Sequence, residues 1–231
     1  MRWIPNAFTL GNALMGCMGL AFLSIRALDA MTLCLLVALF FDLLDGWSAR
    51  KLKVDGALGV QLDSLADAIT FGALPGLMWF YVGLGWGLPW WYCILGLAPI
   101  LSSLYRLARF NIGLAGSNGF IGIPTPANAL FLLGATWSTQ AKWFHLPQGE
   151  WGFALFGLIS IWSAYSLNGP WSIMSFKDMP KSGKALGNRI VFAGLSVSLL
   201  IIFGMAAFAC IIPLLILFSL IENRFFKSST P

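Results

Sequence analysis

The sequence predicts an all-α integral membrane protein, a polytopic bundle of about eight transmembrane helices, and three observations support this fold class. Of the 231 residues, 58% are hydrophobic and only 10% are charged. Apolar runs of about 20 residues, the length that crosses a hydrocarbon core about 30 Å thick, recur along the chain. Basic residues concentrate between alternate runs. This composition is typical of a membrane protein and not of a soluble domain.

The first predicted span covers about residues 5–24 and follows a charged start. A signal peptide begins similarly, but no small-residue cleavage site follows and the next apolar run starts almost at once. Asn6, Thr9 and Asn12 recur every three residues and form a polar stripe on this helix. Hydrogen bonding between helices and ligand binding explain the stripe about equally well.

Five further spans follow, at about residues 30–50, 59–82, 87–109, 124–139 and 152–170. Pro124 and Pro126 suit the first turn of the fifth of the eight helices. The stretch 171–189, with Lys177, Lys181, Lys184 and Arg189, is expected to be a solvated loop. As one helix, residues 190–222 would be about 50 Å long, too long for one crossing. We divide them into two spans, with Gly204 and Pro213 as candidate breaks.

The distribution of basic residues predicts the orientation. With eight spans, all of the 14 Lys and Arg residues except Arg26 and Lys142 lie on one side, which is therefore expected to be cytoplasmic. A seven-span arrangement weakens this bias. Both termini and residues 42–67 are then cytoplasmic, in what we expect to be the inner membrane. Several tryptophans lie near the proposed outer ends, as in an aromatic belt: Trp86, Trp90, Trp91, Trp137, Trp143 and Trp151.

Four carboxylates, Asp42, Asp45, Asp63 and Asp67, lie within apolar stretches of a chain with only nine acidic residues. On helices, the first two share one face of the second span and the last two share one face of the third. Two acidic faces can therefore meet. Ionised carboxylates at close range repel strongly in a low dielectric unless they are protonated or neutralised by a cation.

A functional cation site is the favoured interpretation, because ionisable groups at membrane depth usually serve a function. Oxygen ligands suit Mg²⁺ or Mn²⁺, and suit Zn²⁺ poorly without His or Cys. The structural alternative is that the carboxylates pair with Arg50, Lys51 and Lys53 or face an aqueous crevice at a helix end. Gly46 and Gly56 lie nearby and leave room for a bulky phosphate compound.

These residues belong to the pattern Asp42-x2-Asp45-Gly46-x2-Ala49-Arg50-x8-Gly59-x3-Asp63-x3-Asp67. The pattern resembles the complete signature of the CDP-alcohol phosphatidyltransferases. The resemblance implies transfer of a phosphatidyl group from CDP-diacylglycerol to a small alcohol, with release of CMP and with two divalent ions, Mg²⁺ or Mn²⁺, as cofactors.

The resemblance also implies roles for individual residues. Asp42 and Asp63 contact both ions, Asp45 contacts the first, and Asp67 contacts the second and is the catalytic base. The implied CDP-lipid contacts are Asn6, Thr9, Gly46, Ala49, Arg50, Gly56 and Gly59. A homodimer within membrane lipids, formed by a single domain spanning 1–231, is expected.

The acceptor is predicted from a second, less specific resemblance. The sequence RLARFN, ending at Asn111, and the G-x-P-x-P stretch after it resemble the phosphatidylserine synthase branch of the family. L-serine is therefore the expected acceptor, and Arg106, Arg109 and Asn111 are the candidates for binding its carboxylate. Interfacial anchoring is the alternative role for the arginines.

Two other functions stay open. Glycerol 3-phosphate or inositol phosphate could replace serine in the same chemistry, and a cation transporter would also place carboxylates at membrane depth. Nucleic acid is not an expected partner despite the net charge of +5, because the sequence has no basic run. The cysteines lack metal-binding spacing, and His145, the single histidine, is expected to be an ordinary loop residue.

Overall fold

The computed structural model describes residues 3–52, 56–113, 122–140, 150–174 and 183–225, and the regular elements in these ranges are all helices. In chain order they are α1 (Trp3–Ser24), α2 (Leu28–Leu52), α3 (Ala57–Asp67), a π-helical turn (Ala68–Ala73), α4 (Leu74–Gly85), α5 (Trp90–Cys93), a 3₁₀ turn (Ile94–Leu97), α6 (Ala98–Asn111), α7 (Thr125–Gln140), α8 (Glu150–Asn168), α9 (Lys184–Phe203), a second 3₁₀ turn (Gly204–Ala207) and α10 (Phe208–Phe225).

The helical class of the prediction is confirmed, and the predicted spans match these helices to within a few residues at most ends. Four helical stretches are long and apolar enough to cross a membrane: Trp3–Ser24, Ala57–Gly85, Trp90–Asn111 and Ala185–Phe225. They identify an integral membrane protein. The longest helix outside these stretches, α2, carries several charged residues, including Asp42 and Asp45, and α7 and α8 also lie outside them. The count of eight crossings stays a prediction.

The centre of the bundle is packed with large side chains from α4 and α8. Trp79 stacks on Phe156 with ring centroids 5.3 Å apart and planes 6° from parallel. The indole N–H of Trp79 donates to Ser160 Oγ at 3.0 Å, so its one polar atom is satisfied inside the core. This packing fixes α4, the continuation of the helix that carries Asp63 and Asp67.

α1 lies against the π-helical turn at very short range. A Cβ added at Gly16 would be 2.2 Å from Thr70 Oγ1, and one added at Gly19 would be 2.6 Å from a methyl of Leu74. Thr70 Oγ1 donates to the carbonyl of Asn12 at 3.2 Å. Small residues allow this approach, which places the polar stripe of α1 beside the end of α3.

The carboxyl-terminal helices form an antiparallel hairpin. The chain turns at Gly204, whose φ of 56° is left-handed, whereas Pro213 lies inside α10. Arg189 of α9 pairs with Glu222 of α10 at 2.6 Å, and Phe192 contacts Phe218 with centroids 5.6 Å apart. The structure divides this stretch into two helices with the break at the glycine, and their assignment as two separate membrane crossings stays a prediction.

One prediction for this region was wrong. Arg189 was expected in a solvated loop, but α9 begins at Lys184 and buries Arg189 to 7% exposure against Glu222. The acid that neutralises it lies 33 residues further along the chain, so local sequence did not reveal the pairing. Lys177, Lys181 and His145 lie outside the described residues, as does the side chain of Lys184.

Candidate active site

Two helices supply the four carboxylates. Asp42 and Asp45 lie near the carboxyl end of α2, and Asp63 and Asp67 lie on α3. Asp67 is the last residue of α3, immediately before the π-helical turn. Local π-helical turns inside longer helices frequently occur at functional sites. The apolar residues that follow hold this turn in the core, so the position of Asp67 is set by packing.

The structure brings three of these carboxylates together. Asp42, Asp63 and Asp67 each offer one oxygen, and the three oxygens lie within 4.8 Å of one another. Asp63 Oδ1 is buried without a hydrogen-bond partner among the described residues. The predicted meeting of two acidic helix faces is therefore observed for these three residues.

No Lys or Arg within the described part of the chain pairs with these carboxylates. The Arg50 guanidinium lies over Gly46, 3.3 Å from the position of a Cβ built there, and Lys51 Nζ lies 4.6 Å from the centre of the Trp47 ring. Neither Arg50 nor Lys51 therefore forms a direct ion pair with the carboxylates, although Arg50 lies close enough to Asp45 for electrostatic attraction, and Lys53 lies outside the described residues. Converging oxygens with an unpartnered buried atom fit a hard divalent cation.

Asp45 lies outside the group of three and has a different environment. Thr9 Oγ1 on α1 donates to Asp45 Oδ2 at 2.9 Å, and both side chains are buried. Asp45 and Asp63 both line the cavity next to the group. Asp45 therefore lies between the cluster of three carboxylates and the wall of that cavity.

The cavity has a volume of about 480 Å³ and lies between the start of α1, the end of α2 and the start of α3. Six of the seven residues predicted to contact the CDP-lipid line it: Asn6, Thr9, Gly46, Ala49, Gly56 and Gly59. The seventh, Arg50, is exposed beside it and reaches over Gly46. Sequence reasoning missed the apolar part of the lining, which includes Trp3 and Pro5.

The glycines keep this cavity open in the way the sequence predicted. A Cβ at Gly56 would meet no atom within 4 Å, and one at Gly59 would approach only Asn6 Oδ1, at 3.5 Å. Side chains at these positions would therefore project into space that is now free. The volume and the polar groups around it are typical of a small-molecule site.

The three predicted acceptor residues lie on α6 but differ in environment. Arg106 is half-buried, its Nε has no hydrogen-bond partner within the described ranges, and it lies close enough to Asp67 for electrostatic attraction. Arg109 lies over the ring of Tyr105, 5.7 Å from its centre. Of the two arginines, only Arg106 shows an electrostatic interaction with one of the four carboxylates among the described residues.

Asn111 connects α6 to α3. Its Oδ1 accepts a hydrogen bond from Ser64 Oγ at 2.9 Å, and its Nδ2 donates to Gln61 Oε1 at 3.2 Å. Both ends of the amide therefore have protein partners. This arrangement gives Asn111 a part in holding α6 against the helix of Asp63 and Asp67.

Two residues that contact Asp67 were not among the predicted site residues. Asn12 Nδ2 donates to Asp67 Oδ1 and Thr125 Oγ1 donates to Asp67 Oδ2, each at 3.4 Å. The polar stripe on α1 was a signal for Asn12, whose Oδ1 is buried without a partner among the described residues. Apart from its position between Pro124 and Pro126, nothing in the sequence indicated that Thr125 would contact the site. Both donors fix the orientation of the Asp67 carboxylate.

Comparison with known proteins agrees with this geometry. The chain is 32% identical over 133 residues to a CDP-diacylglycerol–serine O-phosphatidyltransferase of Bacillus subtilis, an alignment that covers 58% of this chain and 75% of the relative. It is 35% identical over 136 residues to the protein of the same name from Helicobacter pylori, covering 56% of this chain and 55% of the relative. An archaetidylserine synthase of Methanothermobacter thermautotrophicus is 31% identical over 129 residues, covering 55% of this chain and 54% of the relative.

The family model of the CDP-alcohol phosphatidyltransferases matches residues 2–165. This range includes the four aspartates, the cavity and the predicted acceptor residues. The hairpin of α9 and α10 lies beyond the match. From the matched region, with its converging carboxylates, we conclude that this membrane protein is an enzyme that belongs to the CDP-alcohol phosphatidyltransferase family.

Proposed function

We propose that this chain transfers the phosphatidyl group of CDP-diacylglycerol to L-serine and produces phosphatidylserine and CMP. The observation that carries the proposal is the group of Asp42, Asp63 and Asp67 beside the cavity of about 480 Å³. Relatives named for serine transfer favour serine over glycerol 3-phosphate or inositol phosphate. Membership in a transferase family favours the enzyme over the cation transporter.

The carboxylates are proposed to hold divalent ions. Asp42, Asp63 and Asp67 supply the converging oxygens, and Asp45 adds a fourth carboxylate at the cavity wall. Their all-oxygen chemistry suits Mg²⁺ or Mn²⁺. When bound, such ions neutralise the negative charge of a diphosphate and the charge that develops on its leaving oxygen.

In the proposed reaction, the serine hydroxyl oxygen forms a bond to the phosphorus that carries diacylglycerol. The bond from this phosphorus to the bridging oxygen of the diphosphate breaks, and CMP leaves with that oxygen. Asp67 accepts the hydroxyl proton as general base. Asn12 and Thr125 each donate to one oxygen of Asp67, so they hold its carboxylate in one orientation.

The CDP moiety is proposed to occupy the cavity between α1, α2 and α3. Its glycines admit the phosphates close to the backbone, and Asn6 and Thr9 supply polar groups from α1. Arg50 lies beside Gly46, where a guanidinium suits a phosphate. Trp3 and Pro5 supply apolar surface at the same end of α1.

Arg106 is proposed to bind the serine carboxylate, with Arg109 in support. Arg106 Nε is buried without a partner among the described residues and lies near Asp67, where the hydroxyl of serine must also come. Replacing Arg106 with Ala should raise the KM for serine and leave the KM for CDP-diacylglycerol unchanged. A shift in the CDP-diacylglycerol KM alone would assign Arg106 to the donor instead.

The transfer reaction is tested by incubating purified protein with CDP-diacylglycerol, Mn²⁺ or Mg²⁺ and labelled serine. Equal amounts of CMP and labelled lipid are expected, and glycerol 3-phosphate and inositol phosphate should not replace serine. Asp67→Asn should abolish both products. Asp29→Asn is the matched control, because Asp29 is an exposed acid in the first turn of α2, at its opposite end. CMP release with another acceptor but not with serine would refute the proposed acceptor.

The membrane arrangement is part of the same proposal. We infer a single domain of eight crossings that works as a homodimer in the inner membrane, with the carboxylates and both termini on the cytoplasmic side. The excess of basic residues on that side supports this orientation. Reporter fusions at each terminus test it, and a reporter active outside the cytoplasm would contradict it.

A further inference from the structure

A second cavity, of about 340 Å³, lies at the end of the bundle opposite the carboxylates. The distance along α1 from Thr9 to Arg26 is about 25 Å, close to the thickness of a hydrocarbon core. The cavity lies between the turn that joins α1 to α2, the end of α4 and the end of α7. Its lining includes Arg26, Tyr81, Thr136 and Thr139 together with apolar residues such as Leu23 and Met78.

Arg26 occupies a backbone position that favours glycine. Its φ is 58°, in the left-handed region. Its N–H donates to the carbonyl of Leu23 at 3.0 Å, and the N–H of Ala27 donates to the carbonyl of Phe22 at 2.9 Å. These two bonds form a Schellman motif at the end of α1, in which glycine is the usual residue at the position of Arg26. The cationic side chain of Arg26 thus lines the cavity from a backbone conformation that is unfavourable for a residue with a Cβ.

The cavity also contains an unsatisfied polar group. Thr136 is 2% exposed, and its hydroxyl oxygen has no hydrogen-bond partner among the described residues. Arg26 has no ion-pair partner in those same ranges, although Asp29 lies only three residues further along. An exposed guanidinium and a nearby buried hydroxyl, neither with a partner among the described residues, line one cavity and suit an anionic ligand with oxygen acceptors.

We propose that this second cavity binds the phosphate of a glycerophospholipid from the leaflet opposite the active site. The guanidinium of Arg26, exposed in the turn that follows α1, suits a lipid phosphate group, to which it can donate two hydrogen bonds. The apolar lining suits the adjoining acyl chains, which a free phosphate ion lacks. The volume is within the range of small-ligand sites. The distance from the carboxylates makes this site independent of the transfer reaction.

The proposal is tested with the full-length chain purified in detergent. Dioleoyl phosphatidylglycerol is titrated, lipid retention is counted by native mass spectrometry, and hydrogen exchange is followed in peptides covering residues 22–29 and 79–87. Arg26→Gly removes the charge with a residue that the backbone prefers, and Arg26→Lys keeps the charge. Arg224→Ala is the matched control, because Arg224 is an exposed arginine in the last turn of α10.

The unsubstituted chain should retain one phosphatidylglycerol that slows exchange in both peptides. Arg26→Gly should weaken its binding about tenfold, while Arg26→Lys and Arg224→Ala should bind within about threefold of the unsubstituted chain. Without lipid, Arg26→Gly should unfold at the same or a higher temperature, and its CMP release should be unchanged. Unchanged CMP release would show that lipid binding at this cavity is independent of the proposed transfer reaction.

Three results would overturn the proposal. Equal phosphatidylglycerol binding by Arg26→Gly would show that the guanidinium is not a ligand. Equal protection by dioleoylglycerol, which lacks the phosphate, would show that only the acyl chains bind. Equal protection by inorganic phosphate would make the cavity a site for a free anion and not for a lipid.

Discussion

Replacing Thr9 with Val should impair the active site without changing the shape of α1. The Thr9 hydroxyl donates to Asp45 Oδ2 at 2.9 Å, and the two side chains are 4% and 7% exposed. The same hydroxyl lies 3.1 Å from the carbonyl of Pro5. Valine has nearly the same volume but no hydroxyl, so the substitution removes a hydrogen bond to a buried carboxylate at the cavity wall.

The expected size of the effect follows from these contacts. A hydrogen bond to a charged group contributes about 1.5 to 3 kcal/mol. Thr9 has a single hydroxyl proton, which the Asp45 carboxylate shares with the Pro5 carbonyl, so the lower limit of about 1.5 kcal/mol applies. This free energy corresponds to about a tenfold change in rate. We therefore expect kcat/KM for CDP-diacylglycerol to fall about tenfold.

The assay measures CMP release against CDP-diacylglycerol concentration at saturating serine. Thr9→Ser keeps the hydroxyl and is the matched control, expected to stay within about threefold of the unsubstituted enzyme. Unchanged kinetics in Thr9→Val would refute the role of the Thr9–Asp45 hydrogen bond. An equal loss in Thr9→Ser, which keeps the hydroxyl, would show that the loss is not specific to the hydrogen bond.

Three further predictions concern packing, the hairpin and the metal. Gly134→Ala should lower the unfolding temperature, because the added Cβ would lie 2.3 Å from the backbone nitrogen of Ala209. Gly194→Ala is the control and should not lower it, because a Cβ there would meet no atom within 4 Å. Equal effects of the two substitutions would contradict the packing of α7 on the hairpin. Glu222→Gln should destabilise the protein by about 3 to 5 kcal/mol in denaturant titrations, because it removes the negative charge from a buried ion pair. A loss below about 1 kcal/mol would indicate a solvated pair. A chelator should abolish CMP release, and Mn²⁺ or Mg²⁺ should restore it; full activity in the chelator would argue against a metal requirement.

Much of the candidate site could be predicted because it depends on local periodicity. Residues three or four apart share a helix face, which placed Asp42 with Asp45 and Asp63 with Asp67. Because the chain has few acidic residues and these four lie in apolar stretches, we predicted that the two acidic helix faces meet. The structure brings together three of the four carboxylates, and Asp45 contacts Thr9.

Contacts between distant parts of the chain could not be predicted in this way. Thr125 contacts Asp67 across 58 residues, and Arg189 contacts Glu222 across 33. Such contacts depend on how the helices pack, which helical periodicity does not specify. The π-helical turn after Asp67 had no sequence signal either, because it reflects the fit of this segment against α1 and α6. Gly204 was one of two candidate breaks with Pro213, and its left-handed φ, which glycine adopts readily, explains why the bend lies there.

The most direct test of the central claim is to measure Mn²⁺ binding by the purified protein with isothermal titration calorimetry, before any substrate is added. The unsubstituted chain should bind Mn²⁺, and Asp63→Asn should weaken binding at least about tenfold, because Asp63 supplies a buried oxygen with no hydrogen-bond partner among the described residues. Asp29→Asn should bind Mn²⁺ as the unsubstituted chain does. Equal Mn²⁺ affinity in Asp63→Asn and Asp29→Asn would contradict a metal site built from the carboxylates of α2 and α3.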